Sequence, residues 1–527
     1  MIEKVKEFIS IYRNLTQQQL VLSFNDLVGS INVCEYLLEL LSLLNGNDKL
    51  EILREILSII LMIDNSIQSI SISLSIPILI NELNTLHNNK IDELLIRILM
   101  KMIEKSSNNI NDDITFHILN YSLNKVSSDD LSISELASNL IEIIIIKYDV
   151  ERYLPIIFSH SHSYLSNSTN YIRYITIMAK ILTFSDKHFD VSLKTGTVNA
   201  IFDICRNNDD ILAQIVTIEL ILNFSYTSNG LKYLFTNGVM SWLIVTACGS
   251  HNKSINSNEL LGPTALRLIG EILISSSSKS LIIDLCWFHE ESSELMNNFL
   301  NAISSYIDSS DEANRLIGIR ALTDLALSSK KGYYVVLNHD QLIQSLLSLL
   351  NGKVEVQAVV LSSIARILDQ NITEPSSEEK QNSSVIIEHQ NEDENNDSII
   401  SEKKLHLLKS IGDVKRMNTI TYLIKSAKQP VQEIRLASFD VLRAIAGQSK
   451  GMGIHLLYST SGFREFIEDR ETEYSKEGKE AKFSVIQNIA RSKGFLSADV
   501  SNIIEKMINE GPYYRPLIME TMTANNE

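Results

Sequence analysis

The chain has 527 residues, of which 44% are hydrophobic, and its 47 basic and 64 acidic side chains give a formal net charge of −17. This charge opposes long-range attraction to phosphate backbones, so nucleic acid is excluded as the main partner. The apolar runs are far shorter than the roughly 18 residues that indicate a membrane span, so a soluble protein without membrane contact is predicted.

Amphipathic helices are predicted from the N-terminus onward. Two or three fall within residues 1 to about 60, and helix resumes from about Asn89 to Lys105. The N-terminus MIEKVKEFISIYRNL carries charges where a signal peptide needs an apolar core, and the four cysteines are far apart in sequence. We therefore expect a protein of the cytoplasm or nucleus whose reduced cysteines are small core residues.

Residues 211–242 form the clearest helical unit, ILAQIVTIELILNFSYTSNGLKYLFTNGVMSW. A helix up to Tyr226 precedes a polar break and a short apolar turn, and another helix follows Asn237-Gly238. One such pair cannot bury its own apolar face, so it must stack on neighbouring units. The break recurs as Gly230-LKYLFTN-Gly238, Gly332-YYVVLNH-Asp340 and Gly453-IHLLYSTS-Gly462.

A polar residue interrupts the apolar stripe of successive long helices. The intervals between these residues are 38, 43, 48, 53 and 42 positions, at or slightly beyond the period of HEAT and armadillo repeats. The period predicts an all-α fold, namely a curved HEAT/armadillo-like α-solenoid, a superhelical array of stacked repeats. The interrupting residues are Glu142, Lys180, Asn223, Glu271, Asp324 and Arg366.

An acidic tract interrupts the array after Arg366. Residues 371–401 carry eight acidic side chains against one lysine and almost no apolar periodicity, which predicts a disordered, solvated loop. The repeat returns in VQEIRLASFDVLRAIAG, with Ala444 at the interrupting position. We therefore predict a helical-repeat solenoid over 1–370, an acidic disordered insertion over 371–403, and a C-terminal continuation with a terminal cap over 404–527.

Three short motifs were weighed as chemical sites, and a structural role is favoured for each. Gly451-Met452-Gly453 follows no strand and lacks the third glycine of a dinucleotide-binding loop. His160-Ser161-His162 has no carboxylate or cysteine at ligand spacing, and Cys286 and His289 would point in different directions on a helix. We therefore predict no enzyme activity, no cofactor and no metal.

Equivalent positions of stacked long helices share one inner surface, so the six interrupting residues would form a mixed-charge ladder along a groove. Under one interpretation they only solvate an exposed face. Under the other, the groove grips an extended or helical part of another protein, with polar contacts for register and apolar neighbours for affinity. Replacing Asn223 and Asp324 with alanine should then weaken partner capture and leave thermal stability nearly intact.

A non-helical tail is predicted from Gly511-Pro512 onward, because proline and glycine end the last helix. Its aromatic residues Tyr513 and Tyr514 either fold back over the last repeat as a cap or dock a partner. The cap is favoured, because terminal repeats need their apolar ends covered.

Three stretches of the chain resemble the 26S proteasome non-ATPase regulatory subunit 5 family. They are TIELILNFSYTSNGLKYLFTNGV, the segment SGFREFIEDRETEYSKEGKEAKFSVIQNIARSK from Ser461 to Lys493, and the tail from Asn509 to Tyr514. We call the second stretch the C-terminal signature. The first 180 residues resemble the family only as helical repeats, and the acidic insertion is a departure from it.

The resemblance implies a non-enzymatic assembly chaperone of the proteasome regulatory-particle base. Such a protein binds the C-terminal domain of one ATPase subunit, 26S protease regulatory subunit 7. It holds this subunit with a neighbouring ATPase and a large scaffold subunit, and it leaves before the mature particle forms. Release requires later partners to compete for the covered surface. The family pattern carries over no contact residues.

Two alternatives stay open at this point. A general armadillo-type adaptor, such as a transport receptor or scaffold, would bind a peptide motif shared by many clients. An enzyme with an unrecognised site is the third hypothesis. A monomer is expected for the chaperone.

Overall fold

The structure is a computed structural model, and by the packing of its helices the chain divides into two units, Met1–Gly230 and Leu231–Glu527. All regular structure within the described residues is helical. The described residues are 2–514 except for 13–14, 16, 29–32, 45–47, 63–74, 106–110, 165–167, 208–209, 250–254, 276–279, 288–292, 370–392 and 449–450.

Unit 1 consists of helices of about two to five turns. They are α1 (Ile2–Ile11), α2 (Gln17–Val28), α3 (Val33–Leu43), α4 (Asp48–Met62), α5 (Ile76–Asn84), α6 (Asn89–Lys105), α7 (Asp112–Val126), α8 (Leu131–Lys147), α9 (Val150–Ser161), α10 (Ser168–Ile181), α11 (Asp186–Thr195), α12 (Thr197–Asn207) and α13 (Ile211–Leu220), with α14 (Ser228–Thr236) crossing the division between the units.

Two layers of helices make up unit 1. In one layer α4, α6, α8, α10 and α13 pack on one another in that order, and in the other α3, α5, α7, α9 and α11 do so. The layers meet through pairs such as α7 and α8, and fully buried side chains such as Ile141 and Ile144 of α8 fill the space between helices. Because each helix pair buries its apolar face against the next pair, unit 1 is an α-solenoid.

Unit 2 continues with α15 (Val239–Ala247), α16 (Ile255–Ser275), α17 (Ser280–Trp287), α18 (Ser293–Ile307), α19 (Glu312–Ser328), α20 (Lys330–Asn338), α21 (Asp340–Ser348), α22 (Val354–Asp369), α23 (Asp393–Lys415), α24 (Thr419–Ala427), α25 (Gln432–Ala446), α26 (Met452–Tyr458), α27 (Phe463–Glu468), α28 (Lys476–Arg491) and α29 (Ala498–Glu510).

The long helices of unit 2 form one layer, in which α16, α19, α22, α25 and α28 pack in that order. The shorter helices pack in two further rows. In one row α18 packs on both α15 and α21, and in the other α17 packs on α20. Helix α22 packs directly on α25, so the stacked layer runs on past the acidic tract that separates these helices in sequence. The predicted all-α, HEAT/armadillo-like solenoid is thereby confirmed within each unit.

The glycine of the repeat break allows two helices to approach closely. A Cβ atom on Gly230 would lie 2.3 Å from the carbonyl oxygen of Phe224, and one on Gly332 would lie 2.5 Å from that of Leu325. Ser329 caps α20, because its Oγ accepts a hydrogen bond of 3.0 Å from the Gly332 N–H. The break motif thus marks the tight turn from a long helix into the next short one.

The acidic insertion predicted over 371–403 differs from the structure at its C-terminal end. Residues 371–392 lie outside the described part of the chain, and α23 begins at Asp393, so residues 393–403 are helical. The reason is an apolar spacing within SIISEKKLHLL, which buries Ile400 and Leu407. The Lys404 stem is buried with them, and its Nζ donates a 2.9 Å hydrogen bond to the Leu368 carbonyl.

A second difference concerns residues 221–226, which were predicted to continue the helix from 211. They form a 3-10 segment after α13 ends at Leu220. A search of the described helices for one both long and apolar enough to cross a bilayer finds none.

Candidate partner-binding surface

The structure brings two of the predicted ladder residues in unit 1 together. Glu142 lies on α8 and Lys180 on α10, and Lys180 Nζ is 3.0 Å from Glu142 Oε1. Asn223 is half-buried in the 3-10 segment 221–226, which packs on α10. Glu142 and Lys180 therefore form a rung between neighbouring helices of the same layer.

Exposed leucines accompany the ladder, and sequence reasoning missed them. Leu131, Leu212 and Leu260 lie eleven positions before Glu142, Asn223 and Glu271, respectively. Their exposed fractions are 71%, 71% and 54%. An offset of eleven residues is close to three turns of an α-helix, so Leu131 shares a face of α8 with Glu142 and Leu260 shares a face of α16 with Glu271. This offset was the available sequence signal.

The other three ladder residues are linked to one another in unit 2. Arg320 on α19 contacts Glu271 of α16, with 3.8 Å between Nη2 and Oε1. The same guanidinium lies beside Asp324, with 3.6 Å between Nε and Oδ2. Arg366 on α22 reaches the other oxygen of Asp324, with 3.5 Å between Nη2 and Oδ1. Glu271, Asp324 and Arg366 thus belong to one chain of ion pairs across three stacked helices.

Asp324 is the most deeply buried residue of these ion pairs, because only 3% of its side chain is exposed. Gly270 makes room for it, since a Cβ atom there would lie 3.0 Å from Asp324 Oδ2. Burial raises the pKa of the Asp324 carboxyl above its ordinary value, and the Arg366 and Arg320 guanidiniums act in the opposite direction. The prediction that a double alanine variant at Asn223 and Asp324 keeps its thermal stability assumed that both side chains are exposed, whereas the Asp324 side chain is buried.

Apart from Arg366, sequence reasoning missed the arginines of this layer. Arg267 and Arg320 each precede a ladder acid by four positions, and Arg267 Nη1 lies 3.0 Å from Glu271 Oε1. Helix α25 follows α22 in this layer, and Arg443 Nη2 on α25 lies 2.6 Å from Asp369 Oδ2 on α22. The spacing of arginine and acid four residues apart on a helix was the signal that could have found the first two.

The tail residues fold back onto the last helices of unit 2. Tyr513 Oη donates to Glu480 Oε1 of α28, and the Arg470 guanidinium carbon lies 5.8 Å from the centre of the Tyr514 ring. Arg470 also donates to the Gly511 carbonyl at 2.8 Å. The two tyrosines are still 50% and 42% exposed, so whether they cap the repeat or dock a partner stays a prediction.

Buried charges hold the C-terminal signature together. Lys482 of α28 donates to the Phe466 carbonyl at 2.6 Å and to Thr472 Oγ1 at 2.7 Å. Burial lowers the pKa of Lys482 to about 8. The buried Glu473 lies near Arg435, with 3.4 Å between Oε2 and Nε, and burial raises the pKa of this carboxyl. The signature residues thus tie α25, α27 and α28 into one terminal repeat.

The motifs weighed as chemical sites have structural partners. His160 Nε2 lies 3.3 Å from Asn124 Oδ1, whereas His162 Nδ1 lies 2.7 Å from the Phe158 carbonyl, so the two rings serve different contacts. Within the part of the chain that the structure describes, no group of three potential metal ligands is found. Gly451 has a φ of +71° and precedes α26 as its N-cap. His289 lies outside the described residues.

The cysteines differ in exposure. Cys205 is buried as expected for a core residue, but Cys248 is exposed at the C-terminal end of α15, which corrects that expectation. Burial raises the pKa of the thiols of Cys205, Cys248 and Cys286. A raised pKa leaves less thiolate, so none of the three is activated as a nucleophile. Cys34 has no described side chain.

Comparison with known proteins finds relatives of one kind. A family model described as "Proteasome non-ATPase 26S subunit" matches residues 384–525. The "26S proteasome non-ATPase regulatory subunit 5" of Homo sapiens is 23% identical over 328 residues, which are 60% of this chain and 57% of that protein. Its Bos taurus counterpart is 30% identical over 104 residues, or 19% of this chain and 20% of that protein. The chain thus matches little more than half the length of its human relative.

Comparison with solved structures gives matches at low sequence identity. The crystal structure of Kap121p is 12% identical, with a TM-score of 0.45, and covers 96% of this chain and 53% of that one. A designed armadillo repeat protein in complex with the peptide (KR)4 is 14% identical, with a TM-score of 0.35, and covers 54% of this chain and 96% of that one. The resemblance seen in the sequence is confirmed by the family model and the named relatives: the chain is similar, at low identity, to the 26S proteasome non-ATPase regulatory subunit 5 family.

Proposed function

We propose that the chain is a non-enzymatic assembly chaperone of the proteasome regulatory-particle base. It binds the C-terminal domain of an ATPase subunit, 26S protease regulatory subunit 7, together with a neighbouring ATPase and a large scaffold subunit. The observation that carries this proposal is the family match over residues 384–525, which includes all of α23, the C-terminal signature and the tail from Gly511 to Tyr514.

The helical layers support a binding role in physical terms. Unit 1 offers exposed apolar positions such as Leu131 and Leu212 in the same helical layer as the Glu142–Lys180 pair. Apolar contacts of this kind supply affinity, and the polar residues between them fix the register of a partner. Binding and covering an ATPase surface requires no covalent bond to be made or broken.

Release before the mature particle forms follows from competition. A chaperone bound to an ATPase surface leaves when a later subunit binds the same surface more tightly, because a ligand shifts an equilibrium only through differential affinity. We infer that the chain acts as a monomer in the cytoplasm or nucleus. Light scattering on the purified protein tests the first point, and fractionation of cells the second.

Purification of the tagged full-length chain from cell extract tests the proposal. The expected result is co-purification of 26S protease regulatory subunit 7, a second base ATPase and a large scaffold subunit, in a complex without the proteolytic core. Purification through a tag on the core should recover finished particles that lack the chain.

A different set of bound proteins would favour the adaptor hypothesis. Many unrelated clients that share a peptide motif, with base ATPases absent, would contradict the chaperone. Equal recovery of the chain in finished particles would contradict its early release.

A further inference from the structure

The exposed surface of the long-helix layer in unit 2 is arginine-rich, although the chain as a whole carries a net charge of −17. Arg267, Arg320 and Arg366 lie on three consecutive stacked helices, α16, α19 and α22. We call these three residues the arginine row. Their side chains are 35%, 58% and 49% exposed.

The acids that pair with the arginine row lie deeper than the arginines. The side chains of Asp324 and Glu271 are only 3% and 23% exposed. A partner that approaches this face therefore meets guanidinium groups first, with two carboxylates beneath three cations. The two carboxylates also hold the guanidiniums in place, which lowers the entropy lost when a ligand binds.

The guanidiniums retain capacity for a ligand. The ion pair of Arg366 uses Nη2, and those of Arg320 use Nε and Nη2. A guanidinium carries five N–H donors in a planar fork that matches the geometry of a carboxylate. Arg320 and Arg366 can thus each donate hydrogen bonds to a further carboxylate while they keep their contacts with Asp324.

We propose that the arginine row binds an acidic segment of a partner protein, in extended conformation, across α16, α19 and α22. Stacked helices lie about 8–10 Å apart, and an extended segment in polyproline II conformation has three residues per turn and rises about 3.1 Å per residue. Carboxylates at every third residue of such a segment therefore lie on one side of it, at a spacing that matches the row. This inference deepens the proposed function, since it names the kind of segment that unit 2 holds, and it relies on that function only for the partner's identity.

Fluorescence anisotropy with the full-length chain tests the proposal. The probe is a labelled 12-residue peptide with glutamate at every third position and serine or glycine elsewhere. We expect saturable binding that weakens as salt is raised, because exposed charge pairs are screened. Two peptides act as controls on the wild-type protein: one with glutamine and one with lysine in place of every glutamate. Both should bind at least about tenfold more weakly, which corresponds to about 1.4 kcal/mol.

A protein variant locates the binding. R320Q/D324N/R366Q removes two guanidiniums together with the buried carboxylate that they would leave without a cation, so no unpaired charge stays buried at position 324. We expect a loss of affinity of about tenfold or more for the spaced glutamate peptide. D324N alone should retain binding, as should R464Q, since Arg464 is a 46% exposed arginine paired with an acid four positions away on α27.

Three results would overturn the proposal: no binding of the glutamate peptide, equal binding of the lysine peptide, or unchanged affinity of the triple variant. The peptide controls need no variant, so they decide the question even if the triple variant does not fold. Loss of the proteasomal ATPases from a purification would leave the peptide result unchanged, which separates this inference from the proposed function.

Discussion

Arg366 on α22 contacts Asp324 on α19 across 42 positions of sequence, with 3.5 Å between Nη2 and Oδ1. The pair is asymmetric in its burial, since 49% of the arginine side chain is exposed against 3% of the aspartate. The two partners therefore differ in what their removal leaves behind. An unpaired Arg366 stays solvated, whereas an unpaired Asp324 is a charge held away from water.

The asymmetry predicts unequal effects of substitution. R320Q/R366Q should lower the free energy of unfolding by about 2–3 kcal/mol, because Asp324 then lacks a cation. Adding D324N should recover most of this loss. Urea unfolding followed by tryptophan fluorescence reports on unit 2, because both tryptophans, Trp242 and Trp287, lie there. Equal stability of the double and triple variants would contradict the argument.

The glycine of the repeat break should not tolerate a side chain. G332A places a Cβ atom 2.5 Å from the Leu325 carbonyl oxygen, so we expect a loss of about 1–3 kcal/mol, as for an overpacked core. G494A is the control, because no atom lies within 4 Å of the added Cβ and the backbone there has no positive φ. The same unfolding measurement applies. Similar stability of both variants would show that the close approach relaxes freely.

Lys482 should make the stability of unit 2 depend on alkaline pH. Its pKa is lowered from 10.5 to about 8 in the folded state, so between these values the unfolded state binds more protons. The free energy of unfolding should therefore rise with pH across this window, by at most about 3 kcal/mol relative to Lys482→Met. Urea unfolding of both proteins at about pH 7 and about pH 10 measures the difference. A constant difference would mean that Lys482 keeps an ordinary pKa.

Arg470 should hold the tail against the last helices. It donates to the Gly511 carbonyl and lies 3.0 Å from Glu510 Oε2, so R470A removes both contacts. We expect faster amide exchange from about residue 505 to residue 514, with little change in the global free energy of unfolding. Lys506→Gln is the control, since that lysine is 74% exposed and 3.8 Å from the other Glu510 oxygen. Unchanged exchange in R470A would show that the tail is held by other contacts.

The helices themselves could be predicted from the sequence, because their apolar periodicity is local. Residues Asn89–Lys105 were predicted as a helix and form α6 with the same bounds. The interrupting residues also indicated neighbouring positions, since Glu142 pairs with Lys180 and Asp324 with Arg366.

The burial of Asp324 could not be predicted, because it depends on Gly270 of another helix. The same limit applies to the contact between Arg320 and Glu271, which joins two different helices. The start of α23 was missed because acidic residues dominate the composition around Asp393, whereas Ile400 and Leu407, which are buried in this helix, lie further along it. The prediction of a disordered loop thus gave more weight to the acidic residues than to the apolar periodicity that follows them.

Direct titration of the purified chain with the isolated C-terminal domain of 26S protease regulatory subunit 7 tests the central claim most directly. Calorimetry should show a one-to-one complex with a Kd of about 1 μM or tighter, equivalent to about −8 kcal/mol. The corresponding domain of an unrelated ATPase, used as the matched control, should show no heat of binding. The absence of binding to the subunit 7 domain, or equal binding to both domains, would contradict the account.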